Sequence, residues 1–203
     1  MRRGAALALA AALVAGCGGH GSPRAIDVVV QASRVDPVLG AAANLLAGRK
    51  VEVRCWSNRS WPVVERLLKR ETGSRLDVAG AAHPAQGTID LAPYICHDLV
   101  RFAADHDLHR VNEASLVVAI DVLAHESNHL AGSRAGATEA GVECNALQTV
   151  RRAALLLGAD PALAASVARV DWREVYPQQP AGYRSAGCRP GGKLDLHPGG
   201  SWP

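Results

Sequence analysis

One stretch of the sequence combines residue types and a spacing that could do chemistry: His125-Glu126-Ser127-Asn128-His129. On a helix, residues four apart share a side, so His125 and His129 can turn ring nitrogens toward one metal ion. Glu126, one residue on and rotated by about 100°, falls beside the ion's open position. A carboxylate there can take a proton from an activated water. Two neutral ligands and one base on a single face are the parts of a metal-dependent hydrolase. Burying two His and a Glu is costly unless they are paired or ligating.

A hydrolytic zinc centre takes three protein ligands and a water. Two carboxylates follow the motif, Glu139 and Glu143, themselves four apart. If their helix packs antiparallel to the motif helix about a turn at Gly132 to Ala137, the metal lies level with Asn128. An equal distance into the second helix falls near Val142 or Glu143. Level matching therefore favours Glu143 as the third ligand and leaves Glu139 nearer the turn, placed to orient His129. A longer turn would bring Glu139 level instead. Two His and one carboxylate favour zinc over other metals.

Oxyanion stabilisation needs a donor across from the base. Tyr183, in the irregular segment Gly182-Tyr183-Arg184-Ser185, is the candidate, with Tyr176 and His197 as rivals. A tyrosine in a loop more often packs or bonds locally. Asp121, one turn before His125, either helps to orient it or faces solvent. His20, His83, His97, His106, His109 and His197 show no ligand spacing.

The elements that must hold these residues can be read from periodicity and punctuation. Asn112 begins the motif helix, with Ser115 an alternative cap just inside. Val117, Val118, Ile120, Val122, Leu123 and Ala124 make it apolar nearly all round, so it is expected to be buried. It ends near Gly132. Thr138 caps the next helix, to about Leu157, and Asp160-Pro161 starts a last one, to about Tyr176. Upstream, helices are expected over Pro37 to Gly48, Trp61 to Thr72 and Pro93 to Asp105. Strands are expected over Val51 to Trp56, Arg75 to Ala79 and Thr88 to Leu91. Thr88-Ile89-Asp90-Leu91 is a candidate edge strand for gripping an extended substrate. The order predicts an α+β fold, a small sheet packed on a helical bundle in one compact domain. Pro177 to Pro203 lacks periodicity, and Trp202 is expected to dock back.

The chain has 203 residues and a formal net charge of +3, with both signs interspersed. No polybasic block provides a footprint for nucleic acid. Met1-Arg2-Arg3 followed by the apolar run Gly4 to Ala15 has the form of a secretory leader. Val14-Ala15-Gly16-Cys17 resembles a bacterial lipobox. It implies a lipoprotein signal peptide at 1–16, a lipidated Cys17 and a tether to residue 35, with the domain at 36–203. The expected compartment is extracytoplasmic, with a membrane anchor through lipid, or secretion if the lipobox is not used. Four further cysteines, Cys55, Cys96, Cys144 and Cys188, fit two disulfides in an oxidising compartment. The expected pairs are Cys96–Cys144, clamping two helices, and Cys55–Cys188, pinning the tail.

The pattern His125-Glu126-xx-His129, followed by a helix with a Glu, resembles the zincin metallopeptidases, in particular the gluzincin branch and its minimal members. The resemblance spans Val111 to Gln148. Many gluzincins carry ExxxD on the second helix, the Glu binding zinc and the Asp supporting a His. Glu139-Ala140-Gly141-Val142-Glu143 matches with Glu in place of Asp, which would make Glu139 the ligand. Level matching and resemblance thus disagree, and the pair stays open. Metzincins fit less well, since the residues after His129 lack their third His. The run through Cys144-Asn145-Ala146-Leu147-Gln148 also resembles a group of actinobacterial exported proteins. The resemblance implies a Zn2+-dependent hydrolase acting on a peptide or protein substrate. A non-catalytic envelope lipoprotein with a binding role and a hydrolase of a non-peptide amide are the alternatives. The oligomeric state is open.

Overall fold

The computed structural model describes residues 33–72, 77–105, 112–132, 138–200 and 202. The leader at 1–16, the candidate lipidation site Cys17, most of the tether, and His20, His106 and His109 lie outside the described residues.

The chain is α+β. A four-stranded sheet is formed by β1 (Arg34–Val35), β2 (Glu52–Cys55), β3 (Gly80–His83) and β4 (Thr88–Leu91), in the order β1-β2-β4-β3. β1 is antiparallel to β2, β2 parallel to β4, and β3 antiparallel to β4. Arg34 and Val35, expected at the end of the tether, are therefore part of the sheet. The helices are α1 (Pro37–Ala47), α2 (Trp61–Thr72), α3 (Pro93–Asp105), α4 (Glu113–Leu130), α5 (Glu139–Leu156) and α6 (Pro161–Val170).

Local chemistry sets the helix boundaries. The Asp36 carboxylate accepts from the Val38 and Leu39 N–H groups, and Pro37 follows it at the first helical position. Asp160 repeats this arrangement before Pro161. Asn112, not Ser115, caps α4, accepting from the N–H groups of Ala114 and Ser115. Thr138 caps α5 through the N–H of Gly141. Gly132, with φ 62, sits in the left-handed region just after α4, where a side chain would be strained.

α4 is the central helix, as its all-round apolarity predicts. It packs against α1, α3, α5 and β3, and Leu116, Val117, Ile120, Leu123 and Ala124 are buried in the main core. The last helix is shorter as an α-helix than its sequence suggests. After Val170 the backbone passes through a π-helical turn, Asp171–Val175, and then a 3-10 turn, Tyr176–Gln178.

Two expectations need correction. Thr88–Leu91 is not an edge strand, because β2 pairs on one side of it and β3 on the other. Its four residues are all buried. The edge beside α4 is β3, at Gly80–His83; of the strand expected over Arg75 to Ala79, residues 75 and 76 lie outside the described residues and 77–79 are not in a strand. Its Gly-Ala-Ala-His composition has little strand propensity and is held by pairing to β4. The disulfides also differ from the expected pairs. They join Cys55 to Cys96 and Cys144 to Cys188, with Cα separations of 5.7 and 5.5 Å. Both separations fall in the usual disulfide range. Cys55 ends β2 and Cys96 lies in the first turn of α3, which starts where neighbouring β4 stops, so the sheet itself brings them together. Cys188 pins the tail as expected, but to α5.

The second disulfide organises a small second core. Cys144, Leu147, Tyr176 and Cys188 are buried together with Trp172, Leu194 and Trp202 around them. The Trp202 ring meets Trp172 edge-on at 5.1 Å and its Nε1 donates to Asp195 Oδ1. The tail thus docks back through Trp202.

Candidate metal centre

α4 and α5 pack along one another, and the side chains between them form the site. The middle residues of the motif serve the packing. Ser127 donates to the Leu123 carbonyl, while Asn128 Nδ2 donates to the Ala124 carbonyl and across to Thr149 Oγ1 on α5. That cross-link fixes the rotation of α4 against α5, and with it the direction of the two histidines.

His125 Nε2 lies 3.1 Å from His129 Nε2 and 3.1 Å from Glu139 Oε2, and Glu139 Oε2 lies 3.3 Å from His129 Nε2. These three atoms form a near-equilateral triangle, and an ion about 2 Å from each fits it. His125, His129 and Glu139 can therefore hold a metal ion. His125 is buried, His129 half-buried and Glu139 exposed, so the triangle opens toward solvent on one side.

Glu143 is not on this triangle. Its Oε2 lies 2.7 Å from Nδ1 of His125, on the far edge of the ring from Nε2. Level matching favours Glu143 as ligand and Glu139 as the support for His129; in the structure Glu139 is the one grouped with the two histidines, and Glu143 bonds His125 instead. Because the two ring nitrogens point apart, a carboxylate bonded to one is not available to an ion at the other. Nδ1–H donating to a buried carboxylate leaves the Nε2 lone pair free and fixes the ring's orientation.

The charges follow from the packing. Burial alone would push the His125 imidazolium down. The bonded carboxylates of Glu139 and Glu143 outweigh it and lift the imidazole well above its usual range. The same bonds from His125 and then His129 hold the Glu139 carboxyl well below the ordinary carboxylate range. The site thus presents concentrated negative charge to any cation, proton or metal. Glu126 is buried, and that burial raises its carboxyl above the usual value, partly countered by the two histidines. A carboxylate raised in this way is a better general base.

Tyr183, from the 3-10 turn Ala181–Tyr183, lies over the same site, its ring centroid 5.6 Å from that of His125. Burial and then the charges of Glu139, Glu126 and Glu143 push its phenol up to about 12, so it keeps its proton and can donate at neutral pH. The rivals are placed elsewhere. Tyr176 is buried in the second core, its hydroxyl accepting from the Ser185 N–H at 2.9 Å. His197 is exposed on the tail, its own N–H bonded to Asp195.

Two more acids stand behind the histidines. Asp121 is buried, so it does not face solvent, and Asp171 is fully buried at the start of the π-helical turn. Asp121 Oδ1, Glu143 Oε1 and both oxygens of Asp171 have no hydrogen-bond partner among the described residues. Burial pushes both aspartic acids well above the usual range, followed by the charges of Asp171 and Glu143 at Asp121 and that of Glu143 at Asp171. Asp171 was missed from the sequence. Only its position at the break between α-helix and π-turn brings it to α4, and no local pattern announces a π-turn.

Compared with protein-family models, with curated proteins and with solved structures, the chain gives no match.

Proposed function

We propose that this protein is a zincin-like, zinc-dependent hydrolase acting outside the cytoplasm, with peptides as its substrate class. The observation that carries the reading is the juxtaposition of the His125–His129–Glu139 triangle with a buried, raised carboxylate on the same helix, Glu126. Two imidazole nitrogens and one carboxylate oxygen form a donor set that suits zinc with a position left open. Bound there, zinc would acidify a water and polarise a substrate carbonyl.

The chain's own residues supply the rest. Glu126 takes a proton and returns it to the leaving amine. Tyr183 donates a hydrogen bond to the carbonyl oxygen as charge builds on it. Glu143 holds His125 in its ligating tautomer. The edge strand β3 offers its open side to an extended substrate.

The two disulfides fit an oxidising, extracytoplasmic compartment. Among the described residues no helix is long and apolar enough to cross a membrane. Anchoring through a lipidated Cys17 completes the proposal. Mass spectrometry of the membrane fraction would find an acylated Cys17 at the mature N-terminus; an unmodified, longer or differently cut N-terminus would remove the anchor.

The catalytic reading is tested with zinc-loaded protein on a panel of unstructured peptides. Cleavage is expected in the unmodified protein, with kcat lower by at least about 10²-fold in Glu126→Gln at unchanged zinc content. Zinc binding with no Glu126-dependent cleavage of peptides or other amides would instead indicate a non-catalytic metal protein.

A further inference from the structure

The register of β3 against β4 determines where its backbone groups point. The Ala92 N–H donates to the Ala79 carbonyl, and the N–H groups of Gln86 and Gly87 donate to His83. The odd-numbered residues 79, 81 and 83 therefore face β4, with Ala81 opposite Asp90. Gly80 and Ala82 turn their N–H and C=O groups to the edge of the sheet away from β4, and α4 packs against this strand. A bare edge of this kind is ordinarily a row of unpaired donors and acceptors.

The contact between β3 and α4 is closest at Gly80. A Cβ added there would lie 2.9 Å from Val122 Cγ1, 3.0 Å from Glu126 Cγ and 3.1 Å from Glu126 Oε1. Contacts this short are essentially never made by real Cβ atoms or force the neighbour to give. Gly80 is therefore a glycine for reasons of space: its missing side chain leaves room for the side chains of Val122 and Glu126. The Ala82 N–H, two residues on, points to the same edge by the register, and the Glu126 side chain approaches the strand at Gly80; a donor at Ala82 is in keeping with the lowering that its backbone exerts on the Glu126 carboxyl.

We propose that β3 is the positioning element for Glu126, Gly80 providing the space for its side chain and the outward Ala82 N–H holding one carboxylate oxygen. The other oxygen is left toward the metal triangle. One edge-strand donor is then taken by the enzyme itself, and the outward carbonyls of Gly80 and Ala82 are the groups left to pair with an extended substrate. This rests on the hydrolase reading for its purpose but not for its test.

The test is amide hydrogen exchange by NMR on the full chain, with the Ala81 amide, paired within the sheet, as the internal reference. The Ala82 amide is expected to exchange slowly despite its place on an open edge. Glu126→Ala is expected to speed it by about tenfold with Ala81 unchanged, and Glu126→Gln, which keeps a neutral acceptor, by less. Gly80→Ala is expected to release Ala82 in the same way and, in cleavage assays, to lower kcat with KM and zinc content held. Combining Gly80→Ala with Val122→Ala removes the other crowded neighbour and should not restore Ala82 protection. Ala82 exchange indifferent to Glu126→Ala would overturn the hydrogen bond; restoration in the double variant would overturn the role of Gly80 toward Glu126. Failure of zinc binding or cleavage would leave these exchange rates untouched, so the two readings fail separately.

Discussion

At the scale of single residues, the site is defined by which atom each carboxylate reaches. Glu139 and Glu143 are one helical turn apart and chemically alike, yet one meets His125 at Nε2 and the other at Nδ1. Counting levels along two helices could not separate them, because the difference lies in which edge of an imidazole each approaches, a matter of side-chain direction. The pair itself was legible from spacing, as were His125, Glu126 and His129, whereas nothing local separated Tyr183 from its rivals Tyr176 and His197; the fold of the tail brings its ring to 5.6 Å from that of His125. The expected consequences differ by variant. Glu139→Ala should lose most zinc affinity, whereas Glu143→Gln should weaken it by about 10–100-fold; competition with a chromophoric chelator measures both. Equal losses would mean that the two acids share one role. Tyr183→Phe should lower kcat by about 10²-fold and leave zinc affinity in place. A change in KM alone would make Tyr183 a packing residue.

At the scale of elements, the helices were legible because caps and apolar periodicity are local. Asn112, Thr138 and Asp160 each mark a helix start that the structure keeps. The small sheet was less legible. Gly80–His83 has no apolar alternation and exists as a strand because β4 pairs with it, and Thr88–Leu91 does not disclose that it is flanked on both sides. Disulfide pairing was not legible either, since it depends on where β2 and α3 meet. On the proposed function, the Cys144–Cys188 bond would matter through the element it fastens. It ties the tail to α5, and Tyr183 lies five residues before Cys188 in that tail. Removing it by Cys144→Ser with Cys188→Ser should cost about 2–4 kcal/mol of stability, read from urea unfolding. It should also reduce kcat toward the Tyr183→Phe level under conditions where the domain stays folded. Full kcat in the folded double variant would show that the tail holds Tyr183 without the disulfide.

At the scale of the whole molecule, the main core wraps α4, so the helix that carries the candidate metal ligands is also deeply buried. Ionisable groups are thereby placed where charge is costly. Asp121 and Asp171 keep their protons to higher pH folded than unfolded. The stability they contribute is present near pH 4 and is lost as pH rises through their folded-state pKa. His125, raised by its carboxylate partners, contributes stability that is fully present below its unfolded pKa, about 6.5, and is lost as pH rises through its folded value. Glu139, lowered in the fold, contributes only above the ordinary carboxylate range and is constant over this window. With a chelator present, the urea midpoint is therefore expected to fall between pH 5 and pH 8, and Asp171→Asn should flatten that fall. A midpoint that rises over the same interval would contradict the assignment. Zinc would replace the proton on His125 as the compensating charge, so zinc affinity should weaken as pH drops.

The proposed function stands on zinc binding by His125, His129 and Glu139 together. Elemental analysis of the purified protein after dialysis, beside His129→Ala, Glu139→Ala and Glu126→Gln, measures it directly. About one zinc per chain is expected in the unmodified protein and in Glu126→Gln, and little in the other two. A chain without zinc, or zinc retained in full by both His129→Ala and Glu139→Ala, would contradict it.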